Sequence, residues 1–150
     1  MLPPKRILWP TDFFDAEHDA LAFAGEMART WQAQLLVLHV IGDVAEEVYK
    51  EKSTEGKDRA AWALWKIGKE KAEKRLEQIV SENLRGFSDY RLLTAFGDPA
   101  TRIIETIREH EVDLLVLSAR REKTFLQEML LGSTAYKLVR TAPCNVVLVK

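Results

Sequence analysis

Gly132-Ser133-Thr134 is the stretch of this chain with the clearest capacity for chemistry. It reads as the start of a helix, where backbone N–H groups without intrahelical partners either hold an anion or are closed by a side-chain cap. Upstream, Asp113 to Ser118 is an apolar run that ends in charge, with Arg120, Arg121 and Lys123 in the loop that follows. Lysine and arginine hold phosphate well. Glu122 sits among them, however, and loop charges are ordinarily just solvated. A phosphorylated ligand would belong in this stretch.

Other reactive side chains are few. Asp12 follows the first apolar run, where a carboxylate either meets a ligand or bonds the N–H groups of its own turn. His39 lies inside a second apolar run and reads as a core histidine rather than a base. Asp12, His39 and Ser118 supply the residue types of a hydrolase triad, but no Gly-x-Ser-x-Gly elbow surrounds Ser118. A receiver-type phosphoacceptor needs paired acids after the first strand, and Asp12 is followed by Phe13-Phe14. The single Cys144 excludes an internal disulfide, and three scattered histidines cannot assemble a zinc-type cluster.

Composition narrows the class further. At 150 residues and 47% hydrophobic content, the chain is expected to form one domain with a substantial core. The charged 30% nearly cancels to a net charge of -1, which argues against a dedicated nucleic-acid binder. No apolar run approaches the ~20 residues that span a bilayer, and Met1-Leu2-Pro3-Pro4-Lys5 does not open a signal peptide. The expectation is a cytoplasmic protein with no membrane association.

The elements that must position these residues alternate in type. Arg6 to Pro10 suits a first strand closed by proline. Phe13 to Gln32 has helical spacing, with Ala20, Leu21, Ala24, Met27, Ala28 and Trp31 on one face and Asp15 as its N-cap. Leu35 to Ile41 is nearly all apolar, as in a strand covered on both faces. Gly42 to Gly56 shows no periodicity and reads as a connection. Lys57 to Asn83 is a long helix, with Gly86 closing its end. Tyr90 to Phe96 alternates as an edge strand would, and Asp98-Pro99 is an N-cap followed by proline at the first helical position. Ile103, Ile104 and Ile107 bury that helix; Leu114 to Leu117 is a fourth strand, Ser133 to Arg140 a last helix, and Asn145 to Val149 a last strand. Strand and helix in alternation mean a parallel α/β sheet with right-handed crossovers.

Several of these segments together resemble the universal stress protein family. They are Lys5-Arg6-Ile7-Leu8-Trp9-Pro10-Thr11-Asp12, Leu38-His39-Val40-Ile41, Gly97-Asp98-Pro99-Ala100 with Ile103-Ile104, Leu130-Leu131-Gly132-Ser133, and Ala142-Pro143-Cys144-Asn145 running into Val146 to Val149. The resemblance implies a three-layer, Rossmann-like fold of the adenine nucleotide alpha hydrolase type, with a five-stranded parallel sheet of order 3-2-1-4-5. It places Asp12 beside Ser118 at the switch point, with the Gly132 helix start close by. The ligand-contacting positions it implies are Pro10, Thr11, Asp12, Val40, Leu117, Ser118, Gly132, Ser133 and Thr134. It also implies a homodimer through Val146–Val149, an apolar run that would otherwise be an exposed edge.

Nucleotide-binding members carry Gly, two residues, Gly, nine residues, then Gly-Ser or Gly-Thr. Here Gly132-Ser133 stands, but counting back from Gly132 puts Ala119 and Glu122 at the early positions, counting forward from the strand puts Ser118 and Arg121 there, and no glycine occurs between Gly97 and Gly132. The early glycines let backbone approach phosphate with no Cβ in the way. The expectation is therefore a dimeric binding or signalling module of the stress response, not a committed enzyme, with weak or absent ATP binding and an unidentified protein partner. The alternative is a member that binds ATP or another adenine nucleotide with Mg2+ and hydrolyses it slowly.

Overall fold

A computed structural model describes residues 2–13, 18–42, 58–119 and 132–150. Five strands, β1 (Arg6–Thr11), β2 (Gln34–Ile41), β3 (Tyr90–Phe96), β4 (Leu114–Ser118) and β5 (Asn145–Val149), form one sheet of order β3-β2-β1-β4-β5. Every adjacent pair is parallel. Four helices connect them: α1 (Asp19–Trp31), α2 (Asp58–Asn83), α3 (Pro99–Glu109) and α4 (Ser133–Thr141). The alternation of strand and helix gives the α/β class expected from the sequence, and the strand order is the one that the family resemblance implies.

Alternation along the strands divides the core in two. Ile7, Trp9, Leu35, Val37, Leu114 and Val116 face α1 and α2, where Leu21, Ala24, Leu76 and Val80 meet them. Leu8, Leu36, Leu38, Leu115 and Leu117 face α3 and α4, meeting Ile103, Ile107 and Leu138. The apolar runs of β1, β2 and β4 thus serve two cores at once, and a one-residue slip of register would exchange their faces. β3 is an edge strand, yet only Arg91 on it is exposed, because Tyr90 and Leu92 pack on one core and Leu93 and Ala95 on the other.

Capping explains where the helices begin and end. Asp98 accepts from the Thr101 backbone N–H at 3.0 Å and its hydroxyl at 2.7 Å, with Pro99 beginning α3. Gly86 stands at φ 76 after α2, a left-handed position that glycine takes without a Cβ penalty. α1 starts at Asp19 with His18 as N-cap at φ 49, not near Asp15. Asp15 itself, the 43–57 part of the expected connection, and the basic loop of Arg120, Arg121 and Lys123 lie outside the described residues. Among the described residues no helix is long and apolar enough to cross a membrane.

Candidate functional site

The central pair β1 and β4 is closed at one end and open at the other. At the amino end, the Lys5 and Arg6 backbone N–H groups donate to Asp113 Oδ2 at 2.8 and 3.0 Å. The Asp113 N–H returns a bond to the Arg6 carbonyl at 2.9 Å, and the Arg6 guanidinium reaches Glu111 at 3.3 Å. Pairing then runs only through Ile7 with Leu114 and Leu8 with Leu115. β1 stays in register with β2 as far as Thr11 opposite His39, while β4 stays with β5 as far as Ser118 opposite Val149. The Ala119 N–H extends that outer ladder to the Val149 carbonyl at 2.8 Å.

The carboxyl ends of β1 and β4 therefore part company, each still held by its outer neighbour. Pro10 contributes to this, because it has no N–H to donate and yet continues β1 to Thr11 where the sequence suggested a stop. A crevice at this point, where winding reverses, is where open α/β sheets take their ligands.

The residues expected to contact a ligand gather around that crevice. Pro10 and Thr11 end β1, and Asp12 follows on an exposed turn. Val40 is one residue past the Thr11–His39 pair, so its main chain lies level with Asp12. Leu117 is buried against the α3–α4 face, with Ser118 half-buried at the end of β4. α4 runs back from the carboxyl side of the sheet to β5, which puts Gly132, Ser133 and Thr134 at the same end.

The N-cap of α4 is Gly132 itself, and among the described residues no side chain caps the helix. Its carbonyl accepts the Tyr136 N–H at 2.9 Å, so the helix is properly begun on a residue that has no side chain of its own to cap it. Ser133 is exposed and Thr134 half-buried. With the helix dipole behind them, first-turn N–H groups suit a phosphate. An exposed carboxylate turn and a main-chain edge thus stand at the carboxyl end of β1, and a glycine-started helix with two hydroxyls stands at the same end of the sheet.

Sequence reasoning missed how the Asp12 turn is held. The His39 Nδ1 lies 2.8 Å from the Thr11 carbonyl, which can only accept, so His39 donates through Nδ1–H. The Phe13 N–H donates to Thr11 Oγ1 at 3.1 Å, wrapping the chain around Asp12. Phe13, at φ 68, stacks on the His39 ring with centroids 3.9 Å apart, and the Arg75 guanidinium lies 5.4 Å from the Phe13 ring centroid. Burial pushes the His39 pKa below 6.5, with the Thr11 carbonyl and the Asp12 charge opposing it. The histidine is neutral at pH 7, and its one donor is engaged by the main chain. A hydrolase triad would need that donor on Asp12, so the triad is not assembled. The signal was present in the sequence, as a Thr-x-Phe turn and a histidine in the neighbouring strand, but only the β1–β2 register brings the two together.

Comparison with known proteins agrees with this architecture. A family model described as the universal stress protein family matches residues 3–150. A universal stress protein of Methanocaldococcus jannaschii is 30% identical over 152 residues, covering 97% of this chain and 82% of the relative. The solved universal stress protein UspA from Lactobacillus plantarum superposes with a TM-score of 0.68 at 27% identity, covering 97% of each chain. A universal stress protein from Archaeoglobus fulgidus, solved in complex with dAMP, shares the fold with a TM-score of 0.60 at 18% identity and complete coverage of both chains. A match across nearly the whole length, with five parallel strands in the order 3-2-1-4-5, assigns the chain: it belongs to the universal stress protein family.

Proposed function

We propose that this protein is a dimeric binding module of the universal stress type that takes an adenine nucleotide, held weakly, in the crevice between β1 and β4. The observation that carries the reading is the uncapped start of α4 at the open end of the β1–β4 pair. In this reading Asp12 and the Val40 main chain take the adenosine end, Pro10, Thr11, Leu117 and Ser118 line the crevice, and Gly132, Ser133 and Thr134 take phosphate. Mg2+ would accompany the phosphates of ATP.

The grip on phosphate is expected to be loose, because the sequence has no glycine between Gly97 and Gly132. Fewer backbone amides can then approach the phosphates without a Cβ intervening. The A. fulgidus relative supports the chemical class of ligand, as a property of that protein.

The dimer forms through β5, whose Leu148 is 36% exposed at the sheet edge, with Tyr136 and Val139 exposed on α4. An apolar edge of this kind invites a strand from a second copy. Light scattering at micromolar concentration should give twice the 17.2 kDa chain mass, and a value near 17.2 kDa would refute the dimer.

For the nucleotide, the protein is denatured to release any bound ligand for chromatography, and the apo form is titrated with adenosine, AMP and Mg-ATP by calorimetry. ATP is expected to bind with Kd between about 1 μM and 1 mM, roughly -8 to -4 kcal/mol. Adenosine and AMP should fall within about tenfold of it, since the phosphates contribute little. Asp12→Ala and Ser133→Ala should each weaken ATP further. No binding of any of the three ligands would abandon the reading and leave partner contacts as the function.

A further inference from the structure

β1 ends on a main-chain acceptor that faces β2. The Lys5 carbonyl takes the Gln34 N–H, so alternation turns the Thr11 carbonyl to the same side, where it needs a donor. The Thr11 carbonyl finds it in a side chain of β2, the Nδ1–H of His39 at 2.8 Å. Two residues on, the Phe13 N–H donates to Thr11 Oγ1 at 3.1 Å, and the Phe13 ring lies back on the His39 ring at 3.9 Å between centroids. Asp12 is thus bracketed on both sides by contacts that lead to His39.

We propose that His39 is a positioning residue of the crevice, fixing the Asp12 turn at the end of β1 through its bond to the Thr11 carbonyl and its stack on Phe13. The role rests on the nucleotide reading for its purpose, but not for its geometry. His39 belongs to the same alternation as Leu35 and Val37, so its ring comes up on the α1–α2 face, behind the turn. Val40, the next residue, belongs to the opposite face. His39 therefore acts on a ligand through Asp12 and not by contact.

The stack also sustains the left-handed backbone of Phe13 at φ 68, a conformation that a bulky residue adopts only when its surroundings hold it there. Charged groups around the ring come from two elements, Asp12 on the turn and Arg75 of α2 beyond Phe13.

The test compares the wild type with His39→Asn and His39→Leu. The asparagine Nδ2 occupies the place of the histidine Nδ1 and can donate to Thr11, whereas leucine fills the space and donates nothing. In the apo protein, amide exchange of Phe13 should be similar in wild type and H39N and at least about tenfold faster in H39L. In the titration, ATP affinity should fall about tenfold in H39L and stay within about threefold in H39N, with melting temperatures showing that each variant is folded. Equal exchange and equal affinity in H39L would overturn the proposal. So would H39N behaving as H39L, because the donor would then not be what matters. If the wild type bound no nucleotide, the nucleotide reading would fall. The exchange result would still decide whether His39 holds the turn.

Discussion

Leu138 carries the docking of α4, and Leu138→Ala measures how far the phosphate end of the crevice depends on it. α4 has nine residues, fewer than the ~12–15 an isolated helix needs to persist in water. Its one buried side chain is Leu138, at 0% exposure, set among Leu8, Leu36, Leu115 and Leu117 with Ala135 and Ala142 partly buried beside it. Truncation to alanine removes three carbons, about 2.4 kcal/mol at ~0.8 kcal/mol for each buried group. The cavity left behind adds to this, and the close packing of four leucines leaves little room to collapse, so about 3 kcal/mol is expected overall. For a chain of this size that is a fall in Tm of roughly 6–12 °C. Urea unfolding gives the free energy, and native-state hydrogen exchange shows where it is lost. Protection of α4 amides should disappear well before that of β1 and β2, and nucleotide affinity should fall with it. A loss below about 1 kcal/mol with α4 amides still protected would refute the argument.

Three further outcomes follow from the same structure. Burial holds the His39 pKa below 6.5 in the folded chain, so the unfolded chain takes up the proton first. Stability is full above pH 6.5 and is lost as pH falls from there towards the folded pKa. Thermal melts between pH 8 and 5 should show that loss in wild type and a shallower slope in His39→Asn; identical slopes would remove His39 as the cause. Asp98→Ala deletes the cap of α3, with its bonds to the Thr101 amide and hydroxyl, and should cost about 1 kcal/mol in denaturant unfolding while Asp98→Asn costs less. Burial raises the Cys144 thiol pKa above 9.0, so a disulfide reagent at pH 7.5 should label native protein far more slowly than unfolded protein, and equal rates would contradict the packing.

Much of the fold was legible because both signals that define it are local. The near-continuous apolar run of Leu35 to Val40 announced a strand covered on both faces, and Asp98-Pro99 announced a helix start that the Thr101 bonds bear out. Helix starts without such a signal were harder. α1 begins on His18 in a left-handed conformation, and no propensity rule places a histidine there in preference to Asp15. β1 passes through Pro10 because it pairs on with β2 to Thr11, a tertiary reason that the residue itself does not disclose. The edge position of β3 was legible in its alternation, whereas what covers Leu93 and Ala95 depends on how the strands are ordered.

The expected contact positions at Asp12, Val40 and Gly132 came from the family resemblance, whereas the bonds around them come from residues far away in the chain. Asp113 ties the amino ends of β1 and β4 across |i−j| of 107 and 108, and His39 reaches Thr11 across |i−j| of 28. This separation has a consequence for how the family site tolerates change. The opening of the crevice follows from Asp113 at one end, from Pro10, and from the outer partners β2 and β5 at the other. None of these lies among the positions where the family glycines are missing. On the proposed nucleotide reading, loss of those glycines would loosen the hold on phosphate while the shape of the crevice persists, because the two are set by different residues.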